Sequence, residues 1–241
     1  MEKEIYHLEG IKLISFDIWQ TLLLSNPAYK NARAEALRKH LGAEDMELGS
    51  FANLMKTVDE EIDKISDETG VQFGLPERVK KVYENLTLEL RIPELTDEHI
   101  ANFETIADQL IIDNLPTVLE DDLLKTLSAI KERGIQMAVM SNTGFISGRQ
   151  MRLVLRQLGI LPFISIQLFS NEMGVSKPNK LIFEALAEQS GIDGSMILHV
   201  GDNFKADYAG AKAAGLKAVQ LTSTSSDSSV AQIRKLSDLI Q

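Results

Sequence analysis

The chain has no cysteine among its 241 residues. That absence excludes disulfides and thiolate metal sites, and it suits a reducing compartment. Positive charge is also scarce: 25 Lys and Arg stand against 35 Asp and Glu, a net charge of −10. With no long basic run, a nucleic-acid partner is not expected, because neutralising phosphates takes clustered Lys and Arg. No stretch reaches the roughly 18 apolar residues that cross a bilayer, so no membrane partner is expected either. The opening MEKEIYHLEG lacks the apolar centre of a signal peptide, and these readings together describe a soluble cytoplasmic protein. Histidine is sparse as well. His7, His40 and His99 show no metal-site spacing, and His199, inside an apolar run, reads as a hydrogen-bonded core residue rather than a base. What is abundant is apolar surface, 44% of residues, enough for one sizeable core and a smaller second one.

The chain is organised around Ile11 to Leu24, IKLISFDIWQTLLL. A short, continuous apolar and β-branched run reads as a buried strand of a parallel sheet. Asp17 comes where that strand must leave the sheet, and the carboxyl ends of parallel strands are where open α/β sheets place ligands. Three further polar sites occupy comparable positions. Ser141-Asn142-Thr143 follows the apolar run Ile135 to Met140, Lys177-Pro178 precedes a helix, and Gly201-Asp202, with Asp207 beyond, follows Met196 to Val200. Taken singly, each has a plain structural alternative. Asp17 or Gly201-Asp202 could start a turn, Ser-Asn-Thr could cap a helix, and Lys177 and Asp207 could be solvated residues.

Between Pro27 and Leu115 the pattern changes to helical. Phe51, Leu54, Val58, Ile62 and Ile65 recur at three- or four-residue steps, as do Val79, Val82, Leu86 and Leu90, then Ile100, Phe103, Ala107 and Leu110. Pro76 and Thr96 suit a first helical turn and an N-cap. Arg78 and Arg91 in this stretch read as surface-paired residues, with anion binding as the alternative. A helical block set into an alternating β/α pattern is expected to be a second domain. The expected division is 1–25 and 116–241 for an α/β core and 26–115 for the insert, with hinges at Ser25-Asn26-Pro27 and Asn114-Leu115-Pro116.

Beyond Pro116 helices and strands alternate. The spacing predicts a helix over Glu120 to Arg133 with Leu123, Leu124, Leu127 and Ile130 inward, ending at Gly134. Strand 135–140, a helix from Ser147 to Leu158, strand Phe163 to Phe169, and a helix from Pro178 to before Gly191 follow. Strand 196–200, helix Ala206 to Ala214, strand Leu216 to Leu221 and a final amphipathic helix carrying Val230, Ile233, Leu236 and Ile240 complete the reading. Such alternation implies right-handed crossovers and a parallel sheet covered on both faces.

The ordered set Asp17, Ser141, Lys177 and Gly201-Asp202 with Asp207 resembles the haloacid dehalogenase-like hydrolase superfamily. Each piece alone is weak; the order is specific. The resemblance implies a Rossmann-like three-layer α/β core with a parallel sheet, and makes the insert an all-helical cap domain that closes over the site and selects the substrate. It further implies a Mg²⁺-dependent phosphatase or phosphotransferase acting on a small phosphorylated, or other anionic, substrate. In that scheme Asp17 is a nucleophile that forms an aspartyl-phosphate, and Ser141, Asn142 and Lys177 hold the phosphate. Asp17, Asp202 and the main-chain carbonyl of Trp19 hold the metal, and Asp207 positions Asp202, a metal water or Lys177. One departure matters. The family's phosphatases read D-x-D-x-T here, whereas this chain has Asp17-Ile18-Trp19-Gln20-Thr21, so the acid that serves as general acid and base is missing. An aromatic residue at that position is implied for the family's haloacid dehalogenases, which displace halide without metal. A carbon–halogen hydrolase, or a catalytically weakened binding or regulatory protein, is the alternative. The acid pair at Asp202 and Asp207, which dehalogenases lack, favours phosphoryl chemistry.

Overall fold

All four residues of Leu13–Phe16 (β1) are buried, as an apolar strand without an alternating pattern must be. In the computed structural model, which describes residues 8–88, 90–224 and 229–240, β1 lies near the middle of a six-stranded sheet. His7 lies outside the described residues. After a tight turn come Leu23–Leu24 (β2) and four helices, Pro27–His40 (α1), Leu48–Thr69 (α2), Leu75–Leu86 (α3) and Asp97–Asp113 (α4). The chain then returns through Thr117–Val118 (β3) to Leu123–Glu132 (α5), Gln136–Ser141 (β4), Gly148–Gln157 (α6), Ile166–Phe169 (β5), the single turn Ser170–Met173 (α7) and Lys180–Ser190 (α8). Ile197–Gly201 (β6), a wide π turn at Phe204–Ala209, Gly210–Ala213 (α9), Lys217–Leu221 (β7) and Gln232–Ile233 (β8) complete the order. The sheet runs β5-β4-β1-β6-β7-β8 with every pairing parallel. Phe16, at the end of β1, lies beside Val139 of β4 and Val200 of β6. Asp17 therefore leaves the sheet between the ends of two neighbouring strands.

Apolar clusters cover both sheet faces, one around Phe16, Leu127 and Val154 and one around Leu13, Phe183 and Leu186. A third cluster sits in the helical block, around Phe51, Val79 and Phe103. Where the chain enters and leaves this block, its two passes run together. Leu23 pairs antiparallel with Val118 and Leu24 with Thr117, and the Asn26 side chain donates to the Leu115 carbonyl at 3.1 Å. Thr96 caps α4 as its sequence suggests, its hydroxyl accepting from His99 N–H. No helix among the described residues is long and apolar enough to cross a membrane.

Several expectations need correction. Ile65 is 45% exposed, because the row through Phe51, Met55, Val58 and Ile62 continues inward at Ser66, four residues on. Leu124 is 42% exposed, one position around the helix from the buried Leu123, Leu127 and Ile130. The strand expected from Phe163 begins only at Ile166, after a 3₁₀ turn at Leu161–Phe163. The helix expected from Ala206 opens as the wide turn. The final helix does not form. Gln232–Ile233 joins the sheet and Leu236–Ile240 is a 3₁₀ turn. Ile233 and Leu236 are buried there all the same, Val230 and Ile240 only in part, and the Asp238 carboxylate accepts from the N–H groups of Arg234 and Lys235, the local capture of backbone donors that competes with a helix. Helix α1, which showed no clear apolar stripe, is an addition.

One close approach fixes how α6 sits on the sheet. A Cβ at Gly148 would lie 2.6 Å from the ring of Phe169, which is fully buried and cannot move aside. Gly148→Ala is therefore expected to destabilise the protein by about 1–3 kcal/mol, measured as a shift in the urea midpoint with an unchanged slope.

Candidate active site

Three strand ends and one loop converge on Asp17. The Asp17 N–H donates to the Val200 carbonyl at 2.8 Å, which anchors the acid at the end of β6 as well as β1. Opposite it, Lys177 arrives from the loop before α8 with only 1% of its surface exposed. Its Nζ donates to Asp17 Oδ1 at 2.6 Å, to Asp207 Oδ1 at 2.7 Å and to the Met140 carbonyl at 2.9 Å, using all three ammonium protons. The loop is held by Asn142, whose side-chain carbonyl accepts from Lys177 N–H and whose amide donates to the Lys177 carbonyl.

Asp207 is the second anchor. Its Oδ2 accepts from Asn203 N–H at 3.0 Å and its Oδ1 lies 3.1 Å from His199 Nε2. A carboxylate only accepts here, so Nε2 carries the imidazole proton and Nδ1 accepts from the Ser15 hydroxyl, 3.1 Å away. His199 is thus the hydrogen-bonded core histidine its apolar surroundings suggested, and burial pushes its pKa down. A Cβ at Gly201 would meet Asp207 Oδ2 at 2.2 Å. Only glycine allows the carboxylate to pack against the end of β6.

The charges do not balance. Asp17, Asp202 and Asp207 bring carboxylate oxygens within 4.8 Å of one another, with one ammonium among them. Burial pushes Asp17 up to about 7, with repulsion from Asp207 and Asp202 added and attraction to Lys177 working against it. Asp202 is pushed up to about 6, by burial and then by Asp207. Burial would raise Asp207 too, but Lys177 and His199 outweigh it and hold that acid well below its ordinary value. For Lys177, the two carboxylates outweigh burial and keep it charged. A set of hard oxygen donors carrying surplus negative charge fits a hard divalent cation such as Mg²⁺.

These groups line a cavity of about 380 Å³, at the small end of ligand sites. Trp19 and Gln20 form part of the wall next to Asp17. Gln20 has φ +58, and the turn closes through Leu23 N–H to the Ile18 carbonyl and Gln20 N–H to the Leu23 carbonyl, so the Trp19 carbonyl takes no part in it. Asn142 reaches the cavity, whereas the buried Ser141 does not line it, its hydroxyl donating to the Asn142 carbonyl at 3.2 Å. The Thr143 N–H is taken by Ser170 Oγ.

The helical block supplies the opposite wall, and most of that wall was not legible in the sequence. Tyr29, Arg33, Asp59, Asp67 and Gln72 all line the cavity, yet nothing in the sequence set them apart from the other polar residues of the helical block. Arg78 is not a surface pair: it is 3% exposed, binds Asp59 and Asp63 through its two terminal nitrogens, and donates from Nε to the Phe73 carbonyl. Arg91 is not part of the wall. Gln72 donates to the Thr143 carbonyl, Val71 pairs with Val175, and Arg149 with Gln150 holds Asp108 of α4.

Comparison with known proteins follows this geometry. A family model described as haloacid dehalogenase-like hydrolase matches residues 11–215. A glyceraldehyde 3-phosphate phosphatase from Methanopyrus kandleri is 25% identical over 230 residues, 88% of this chain and 84% of that protein. Haloacid dehalogenase-like hydrolase domain-containing protein 3 from Danio rerio is 30% identical over 96 residues, 40% of this chain and only 38% of that protein's length. The crystal structure of a HAD phosphatase from Thermococcus onnurineus superposes with a TM-score of 0.66 at 19% identity, over 95% of this chain and 96% of that one. Structures of the same fold include dehalogenases too, so the fold by itself does not choose between the chemistries.

Replacing Lys177 by Met would leave Asp17 and Asp207 buried without their shared cation. A loss of about 3–5 kcal/mol, the range for breaking a buried ion pair, is expected in equilibrium denaturation at neutral pH.

Proposed function

Because the chain belongs to the haloacid dehalogenase-like hydrolases, we propose that it is a Mg²⁺-dependent phosphatase or phosphotransferase acting on a small phosphorylated metabolite through Asp17. The observation that carries this reading is the carboxylate trio with its buried lysine. Nothing in a halide displacement needs Asp202 and Asp207, whereas phosphoryl transfer to a carboxylate needs positive charge to offset the repulsion between two anions. Asp17, Asp202 and the Trp19 carbonyl would hold the cation, which supplies that charge.

The protein's own groups divide the remaining work. Lys177 holds Asp17 Oδ1, which leaves the other carboxylate oxygen to attack phosphorus. A bond forms between that oxygen and phosphorus, and the bond from phosphorus to the leaving oxygen breaks with its electron pair on that oxygen. The Asn142 N–H holds a phosphate oxygen in this scheme, and the Ser141 hydroxyl joins it only by giving up its bond to the Asn142 carbonyl and turning toward the cavity. Water then attacks the aspartyl-phosphate, releases inorganic phosphate and restores the carboxylate. With Trp19 in place of an acid, the leaving oxygen takes its proton from solvent and the attacking water loses its proton there. An indole offers one N–H donor and no base, so turnover of alkyl phosphates is slow.

Residues 26–115 act in this reading as a cap that hinges at 25–27 and 114–116, excludes water and selects the substrate. A cavity lined jointly by the helical block and the sheet end supports that role. The aromatic Trp19 favours one second reading, a haloacid dehalogenase using the same Asp17.

Phosphate release from an aryl phosphate in Mg²⁺, measured beside chloride release from 2-chloropropionate, separates the two. Phosphate release that falls to background in a folded Asp17→Asn variant supports the phosphatase; chloride release alone overturns it. Calorimetric titration should show Mg²⁺ binding that is lost in Asp202→Ala, and equal affinity in that variant would remove the metal site as drawn. Trp19→Asp is expected to raise hydrolysis of an alkyl phosphate by about 10²–10⁴-fold, the usual worth of general acid–base assistance, and that of an aryl phosphate by less.

A further inference from the structure

On α1, in the cavity wall away from Asp17's own strand, two polar residues lie four apart and so share one helix face. Tyr29 is 3% exposed and its hydroxyl makes no hydrogen bond among the described residues. Arg33 lies with its guanidinium 4.2 Å above the Phe145 ring and 5.7 Å from the centre of the Tyr29 ring. Aromatic rings on its faces leave only the planar edge of the fork for hydrogen bonds. That edge is almost unused. Among the described residues Arg33 makes one weak bond, from Nη2 to Asp59 Oδ2 at 3.4 Å, and its buried Nε has no partner.

Arg78 makes the contrast. All three of its nitrogens are occupied, and its contact with Asp59 is much shorter than that of Arg33. Asp63, the other carboxylate on Arg78, has a side chain 62% exposed and is screened by water. Asp67, the other partly buried acid of this wall, makes no ion pair with either arginine among the described residues, so the Arg33 guanidinium is left with Asp59 alone, and weakly. The Arg33 side chain is 11% exposed, and a largely enclosed cation whose donors are left unmet is costly unless a ligand meets them. Burial also pushes the Tyr29 hydroxyl up, outweighing the opposite pull of the neighbouring Arg33, so it keeps its proton and stays a donor at neutral pH.

We propose that Arg33, aided by Tyr29, is the specificity-determining residue of the cavity, and that it receives a carboxylate on the end of the substrate opposite its phosphate. The substrate class is a short phosphorylated carboxylic acid. A planar carboxylate matches the fork of a guanidinium in two parallel hydrogen bonds, and a cavity of about 380 Å³ admits a molecule of this size. The inference rests on phosphoryl chemistry at Asp17 for the orientation of the substrate.

Binding of inert analogues tests it without turnover. Calorimetric titration in Mg²⁺ would compare 3-phosphonopropionate with propylphosphonate, which differ only in carrying a carboxylate or a methyl group. The wild-type protein is expected to bind the carboxylate analogue about 10- to 100-fold more tightly, the span of a charge-assisted hydrogen bond. That preference should vanish in Arg33→Gln and be partly retained in Arg33→Lys, which keeps the charge and loses the fork. Tyr29→Phe removes only an unpartnered hydroxyl, so its thermal midpoint should not fall, while its preference should weaken. Equal affinity for the two analogues in the wild type overturns the assignment, as does a preference that survives in both a folded Arg33→Gln and a folded Arg33→Lys protein. A carboxylate preference without phosphate release from any phosphate monoester overturns the phosphatase reading and leaves Arg33's role standing.

Discussion

One buried ammonium holds the site together. Lys177 Nζ joins the ends of β1 and β4 and the turn after β6 through Asp17, the Met140 carbonyl and Asp207. Each of those groups would be expensive to bury without it, since a charge removed from water needs both a partner and saturated hydrogen bonds. The neighbouring details follow from this requirement. Asn142 clamps the lysine's main chain, His199 and Asn203 fix Asp207 from two sides, and Gly201 clears the space for its carboxylate. Even then the acids of this cluster outnumber the cation.

Much of this was open to reading in the sequence because it is local. An apolar run that ends in an acid states both its burial and its exit from the sheet, and polar residues at three strand ends and one adjoining loop, in order, state a parallel α/β core. His199 declared its structural role by its apolar neighbours. The terminal segment misled because Val230, Ile233, Leu236 and Ile240 are spaced for a helical stripe, while the backbone donors are captured by Asp238 and by the edge of the sheet instead. Ile65 and Leu124 misled for a related reason: a step of three and a step of four are both helical, and only packing decides which one turns inward.

The opposite wall of the cavity was nearly invisible for a different reason. Tyr29, Arg33, Asp59 and Gln72 come from three separated stretches of helix and loop, and a polar residue there carries no mark that tells solvent from cavity. Their meaning depends on how the helical block lies against the loop that follows β4, which is fixed by contacts such as Gln72 with Thr143 and Asp108 with Arg149 and Gln150. Phe145 belongs to that loop, yet it packs in the apolar cluster of the helices and carries the guanidinium of Arg33 on its ring.

The short antiparallel pairing of Leu23–Leu24 with Thr117–Val118, tied off by Asn26 and Leu115, has a consequence for how such a chain diversifies. It brings the two ends of a ninety-residue excursion side by side at the edge of the cavity. Whatever is carried between them can be lengthened, shortened or exchanged through gene rearrangement while the sheet keeps its strand order. One reaction centre can thus be offered to successive tenants, each bringing its own taste in molecules.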